Sequence, residues 1–167
     1  MKKIVVICIL FVIFSIKIFA QPTSVWLVGP MLHINFGGEK VRVSGGIEVS
    51  RWNTSHFPYG YDFGVEKEKQ KIRFYFEGQT GVFLAGLSLG PVLEYRTDES
   101  KLYAGMQGSV WANYVLGLDF RLRRIGHTTI KSPGVYFKVP VNKAFYDWVD
   151  ESSKEDSDGN SHLFDWD

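Results

Sequence analysis

In 40–52 and in 114–123 the residue type switches at every step. One side of the first stretch reads Val41, Val43, Gly45, Ile47, Val49, and the other Lys40, Arg42, Ser44, Gly46, Glu48, Ser50. In the second, Leu116, Leu118, Phe120 and Leu122 alternate with Gly117, Asp119, Arg121 and Arg123. Successive side chains of an extended chain point to opposite faces, whereas a helix would scatter this pattern around its circumference. Both stretches are therefore strands with one apolar and one ionic side. The same reading gives strands over 25–36, 58–67, 71–78, 82–96, 101–112 and 134–142. Their apolar sides include Trp26, Leu32, Tyr61, Phe74, Leu87, Leu102 and Phe137, and their polar sides His33, Asp62, Glu66, Arg73, Glu77, Glu94, Arg96, Gln107, Asn113 and Lys138. No stretch of the body has helical periodicity, so the body is all-β.

Turn chemistry separates these runs at Gly37-Gly38, at 78–81, at Asp98-Glu99-Ser100 and at Ser132-Pro133-Gly134. The charge run 67–71 reads as a solvated turn. Short matches recur in order: Val28-Gly29-Pro30-Met31-Leu32 with Leu89-Gly90-Pro91-Val92-Leu93, Gly60-Tyr61-Asp62-Phe63 with Gly117-Leu118-Asp119-Phe120, and Tyr75-Phe76 with Tyr136-Phe137. Trp52 and Trp111 stand at corresponding hairpin ends. Each copy encloses four strands, which predicts a 4+4 internal duplication and eight strands in all. Proline has no ladder N–H and is disfavoured within central strands, so a β-bulge is expected at each Gly-Pro pair.

Residues 1–20 read as a secretory signal peptide: Lys2 and Lys3, an apolar run over 4–14, and Ala20 before Gln21. The run is short for a membrane-spanning helix, which takes roughly 20 apolar residues. Cys8 lies inside it, so the exported chain has no thiol chemistry and no disulfide. The remaining chain divides into a β-barrel domain over 21–142 and an acidic tail over 143–167. The tail holds two lysines against eight acidic residues, and the barrel domain fourteen basic against ten acidic. That balance does not suggest a nucleic-acid partner.

Alternation fits either a membrane barrel, greasy outside, or a secreted lipocalin-like barrel, greasy inside and holding an apolar ligand. Three features favour lipid. Glycines on the polar faces (Gly46, Gly64, Gly86, Gly90, Gly105, Gly117) leave room for Arg and Glu in a narrow lumen. Opposite charges there, such as Glu48, Glu66, Arg73, Glu77, Arg121 and Arg123, can pair where burial demands partners. Rings near strand ends (Trp26, Phe36, Tyr59, Tyr95, Tyr114) suit interfacial girdles. The expected fold is thus an eight-stranded antiparallel up-and-down transmembrane β-barrel. An even strand count puts both termini on one side.

The leader, the short alternating strands and the closing Ser132-x-Gly134-x-x-Phe137-x-Val139 resemble small outer-membrane barrels of the OmpA or OmpX type over about 25–142. The resemblance implies residence in the cell outer membrane and contact with outer-membrane lipid. It also implies insertion by the barrel-insertion machinery, with the tail in the periplasm. Two features depart from that type: about 25 residues follow the last strand, and only 126–133 looks like a long loop. A structural or adhesion-type role, or a very narrow pore, is expected.

No catalytic, cofactor-binding or metal-ligating residue is assigned. His33, His56, His127 and His162 lack metal-ligand spacing and read as lumen or rim side chains. Some barrels of this size act on lipid through rim His and Ser, which would make His127 with Ser132 the candidate pair of an alternative, enzymatic reading. No family motif surrounds either, and nothing supplies an oxyanion hole. Asp156-Ser157-Asp158-Gly159-Asn160 resembles the start of a calcium loop, but Ser161 stands where such a loop needs Gly.

Overall fold

Each alternating run is a strand in the computed structural model, which describes residues 24–37, 40–53, 58–82 and 84–142. The strands are β1 (Val25–Asn35), β2 (Arg42–Asn53), β3 (Tyr59–Glu68), β4 (Lys71–Val82), β5 (Ala85–Arg96), β6 (Lys101–Ala112), β7 (Leu116–Ile125), β8 (Thr128–Phe137) and β9 (Val139–Pro140). Every neighbour in sequence is an antiparallel neighbour in space, and β8 and β9 both pair with β1, so the sheet closes. β9 continues β8 past Lys138, whose N–H turns aside to the Val115 carbonyl at 2.6 Å. The architecture is an eight-stave up-and-down barrel.

The registers fix its tilt. Starting at Trp26 on β1, outward-facing partners run through Arg51, Tyr61, Gly78, Leu89, Gly108, Leu122 and Lys131. The row returns to β1 at Phe36, ten residues beyond its start (36 against 26). A stagger of this kind is what closing a sheet requires, with strands inclined by roughly 35–45°.

Orientation separates the two barrel readings. Phe74, Leu87 and Leu118 are 42%, 59% and 65% exposed, whereas Arg73, Glu77 and Arg121 are 0%, 0% and 3% exposed. The apolar belt therefore faces outward and the ionic side faces the axis, the reverse of a lipocalin-like barrel. Soluble monomers rarely expose contiguous apolar patches above a few hundred Å², and larger ones mark a membrane or partner surface.

The matched segments fall on strands four apart: Gly29-Pro30 on β1 and Gly90-Pro91 on β5, Gly60 on β3 and Gly117 on β7, Tyr75 on β4 and Tyr136 on β8. At both Gly-Pro pairs the expected bulge is absent. Pairing lapses between Val28↔Val139 and Met31↔Tyr136, and between Leu89↔Gly78 and Val92↔Tyr75, yet the register is the same on either side. Proline's missing N–H opens the ladder there without inserting a residue. The glycine lets the backbones close up, since a Cβ at Gly29 or Gly90 would overlap the carbonyl of Phe137 or Phe76.

Several expected boundaries shift. The glycines at 78–81 lie within β4, and Ser132-Pro133-Gly134 lies within β8, so neither is a turn. The long loop expected over 126–133 shrinks to Gly126-His127, with Gly126 at φ +57°, a left-handed conformation suited to a two-residue hairpin. Glu68, in the charge run, is buried rather than solvated. Tyr114 is likewise buried inside the barrel mouth rather than placed in an outer girdle. Trp26, Phe36, Tyr59 and Tyr95 do face outward. Residues 1–20, His56, His162 and the tail over 143–167, with its calcium-like stretch, lie outside the described residues.

Candidate functional site

The lumen is the one place where this fold concentrates chemistry, and its contents follow from parity along the strands. At the end where β1 begins, Trp52 from β2, Trp111 from β6 and Tyr114 after β6 meet edge to face. Their ring centroids lie 5.3 Å (Trp52–Trp111), 5.3 Å (Trp52–Tyr114) and 5.0 Å (Trp111–Tyr114) apart. Such ring geometry is favourable and fills the opening. Leu27 from β1 is buried in the same cluster.

Above these rings an ion-pair chain runs the length of the axis. Lys138 bonds Glu48 and lies 3.8 Å from Asp62. Glu48 also accepts from Arg121 at 2.6 Å and from the Tyr75 hydroxyl. Arg121 donates to Asp119 at 2.5 Å, and Asp119 contacts His33 Nε2 at 2.9 Å. Glu66 takes both Arg73 at 2.9 Å and Arg123 at 2.7 Å, with His33 Nδ1 3.6 Å away. Arg73 reaches onward to Glu94 at 2.8 Å and Glu68 at 2.9 Å, and Arg96 caps Glu94 at 2.8 Å. Buried charges need partners because desolvation costs several kcal/mol per ion, and each of these groups has one or more. Space left over is small: the void between the ion pairs and the aromatic floor is about 10 Å³, the size of one water site. Among the described residues, the opposite mouth opens into a well of about 450 Å³ bordered by Arg42, Glu68, Lys71, Arg96 and Glu99.

Of the inward glycines, Gly46, Gly90 and Gly105 lie against neighbouring backbone, and Gly64, Gly86 and Gly117 serve rings rather than the Arg and Glu side chains expected beside them. A Cβ at Gly64, Gly86 or Gly117 would overlap the ring of its cross-strand partner Tyr75, Trp111 or Tyr136. An aromatic side chain lying over a facing glycine pins strand register.

The structure does not bring the His127–Ser132 pair together. His127 is exposed in the β7–β8 turn, whereas Ser132 is buried in the lumen and donates to Asn35 at 2.5 Å. His33 is a lumen side chain held between two carboxylates, as its position on the polar face implied. Glu48, Asp62 and Glu77 bring carboxylate oxygens within 4.8 Å of one another, which no sequence spacing announced. Lys138 already sets its ammonium against two of the three, so the place of a cation is taken by the chain itself. Sequence reading also missed Tyr75, Tyr136 and the Trp52–Trp111–Tyr114 floor as lumen residues. Their signal was parity: Tyr75 lies between Arg73 and Glu77, and Trp52 is two residues beyond Ser50.

An apolar belt around a closed, ion-filled core defines a small eight-stranded transmembrane β-barrel. No protein-family profile matches the chain, and no curated protein matches it. Among solved structures, a de novo designed transmembrane β-barrel is similar at 16% identity, covering 71% of this chain and 98% of that one with a TM-score of 0.50. Ail, the attachment invasion locus protein of Yersinia pestis, matches at 8% identity over 71% of this chain and 99% of its own, TM-score 0.37. The KdgM porin, solved in complex with disordered oligogalacturonate, matches at 12% identity over 68% and 98%, TM-score 0.24. These likenesses concern the fold.

Proposed function

We propose that this chain is a non-enzymatic barrel of the Gram-negative outer membrane, a structural element of that bilayer whose lumen is sealed by its own side chains. The carrying observation is two buried ion-pair runs, Lys138–Glu48–Arg121–Asp119 and Glu66–Arg73–Glu94–Arg96, with the His33 ring between them, above a floor of packed rings. A signal-like leader and an outward apolar belt support the location. Contact with outer-membrane lipid, and insertion by the barrel-insertion machinery, belong to the same reading; no nucleic acid does. Among the described residues, the turns away from β9 offer little for protein recognition, since β3–β4 and β7–β8 are joined by two residues each and β5–β6 by four. That favours the structural role over adhesion. A very narrow pore is the second reading, favoured by the 450 Å³ well that opens above Arg73.

The test is electrical. Purified full-length chain reconstituted in planar bilayers should give a quiet baseline, and large, steady conductance would refute the seal. Brief small openings that become steady in Glu66→Gln, which loosens Arg73 and Arg123, would support the pore.

A further inference from the structure

The described part of the belt has two grooves, a smaller one of about 300 Å³ between Trp26, Arg51 and Phe76 and a larger one across β3 to β7. Along the outward row, Gly78 and Gly108 flank Leu89 and leave notches on either side of it. A Cβ built at Gly78 would meet only the Leu89 carbonyl, 4.0 Å away, whereas at Gly108 the notch is shallower, with the Ser88 carbonyl at 3.3 Å and the Leu89 side chain at 3.5 Å. Together the notches form a groove of about 890 Å³ between Tyr61, Leu87 and Val110, ending against Met106, Arg124 and Thr129. This volume lies within the range of small-ligand sites.

The groove ends beside two outward-facing cations. Arg124 and Lys131 are exposed diagonal neighbours on the β7–β8 hairpin, paired across the ladder with Thr129 and Leu122. Neither has an ion pair among the described residues. Arg51, at the opposite end of the barrel, is instead held over the Trp26 ring at 5.6 Å. A cation on the lipid face is costly at depth, and the cost falls when its tip reaches anions at the headgroup level.

We propose that this groove is a binding site for a phosphorylated acyl lipid. The phosphate sits on Arg124 and Lys131, and one acyl chain lies in the notch of Gly78 and Gly108. The inference rests on the membrane reading above and names the lipid chemistry that this face selects. Charge decides against a second copy as occupant. Two-fold symmetry within a membrane places equal heights together, so each copy would bring its own Arg124 and Lys131 to the same rim.

The probes are diphosphorylated lipid A and its fully dephosphorylated form, titrated against the folded full-length chain in detergent and read by native mass spectrometry. We expect the phosphorylated probe to bind at least tenfold more tightly. Arg124→Gln with Lys131→Gln should erase that preference, and Gly108→Leu should weaken both probes alike. Equal binding of the two probes, an unchanged preference in the double variant, or a groove closed by a stable dimer would each overturn the proposal. Heat-modifiable electrophoresis confirms the fold of each variant. If Gly108→Leu does not fold, the double variant, which changes only outer side chains, decides alone. A wild-type chain that is soluble and folded without detergent would instead overturn the membrane reading, a result distinct from a folded barrel that ignores phosphate.

Discussion

Arg121 shows what a single lumen residue carries. Its guanidinium holds Glu48 and Asp119, and it lies 4.7 Å from the centre of the Tyr75 ring. Arg121→Met would leave two carboxylates buried and short of partners, a loss of about 3–5 kcal/mol for a broken buried pair. Neutralising Asp119 as well, with Asp119→Asn, should return part of it, since Glu48 keeps Lys138 as its partner. Urea titration of the folded barrel in lipid vesicles measures both, and an Arg121→Met midpoint equal to wild type would contradict the network. Glycines divide in the same assay. Gly64→Val meets the Tyr75 ring and should cost about 1–3 kcal/mol as overpacking. Gly78→Ala enters open space on the outer face and should be nearly neutral.

At the scale of the strand, faces were legible and ends were not. Parity of two is a geometric property of extended chain, so 40–52 and 114–123 sorted correctly onto lipid and lumen. The ends failed where turn-like residues do a different job. Gly81 and Gly134 look like turn signals, but they are sockets for the Trp111 and His33 rings within β4 and β8. Cross-strand partners decide this, and they come from residues some twenty to a hundred positions away. Tyr114 failed for a related reason, because a ring at a strand end can fill a mouth as readily as it can face an interface.

The β1 seam is the thinnest ladder of the barrel. It pairs 31–33 with 134–136 and 27–28 with 139–140, with a lapse between them at Gly29-Pro30. By contrast, β5 and β6 pair without interruption from Ala85↔Ala112 to Arg96↔Lys101. Amide exchange should therefore be faster for Tyr136 to Val139 than for the middle of β6, since protection tracks local opening. Equal protection on both ladders would show that the lapse has no energetic consequence.

At the scale of the whole molecule, the tryptophans among the described residues face in two directions. Trp26 is exposed on the belt, whereas Trp52 and Trp111 are buried at the lumen floor. Brominated lipids quench indoles that they touch, so Trp26→Phe should remove a larger part of the quenchable fluorescence than Trp111→Phe. The opposite ranking would invert the barrel. The fold class followed from the clean separation of ionic and apolar sides, and its orientation from the opposite charges gathered on one of them, which only a lumen lets pair. The lumen's wiring did not follow, because which carboxylate meets which cation depends on the stagger of the closed sheet.

That ten-residue stagger has a consequence for assembly. A hairpin that docks one step out of phase hands every one of its guanidinium and carboxylate groups to the acyl chains and turns its Leu and Phe toward the axis. The bilayer penalises that error at each strand position at once, so the surrounding lipid itself acts as the proofreader of this barrel.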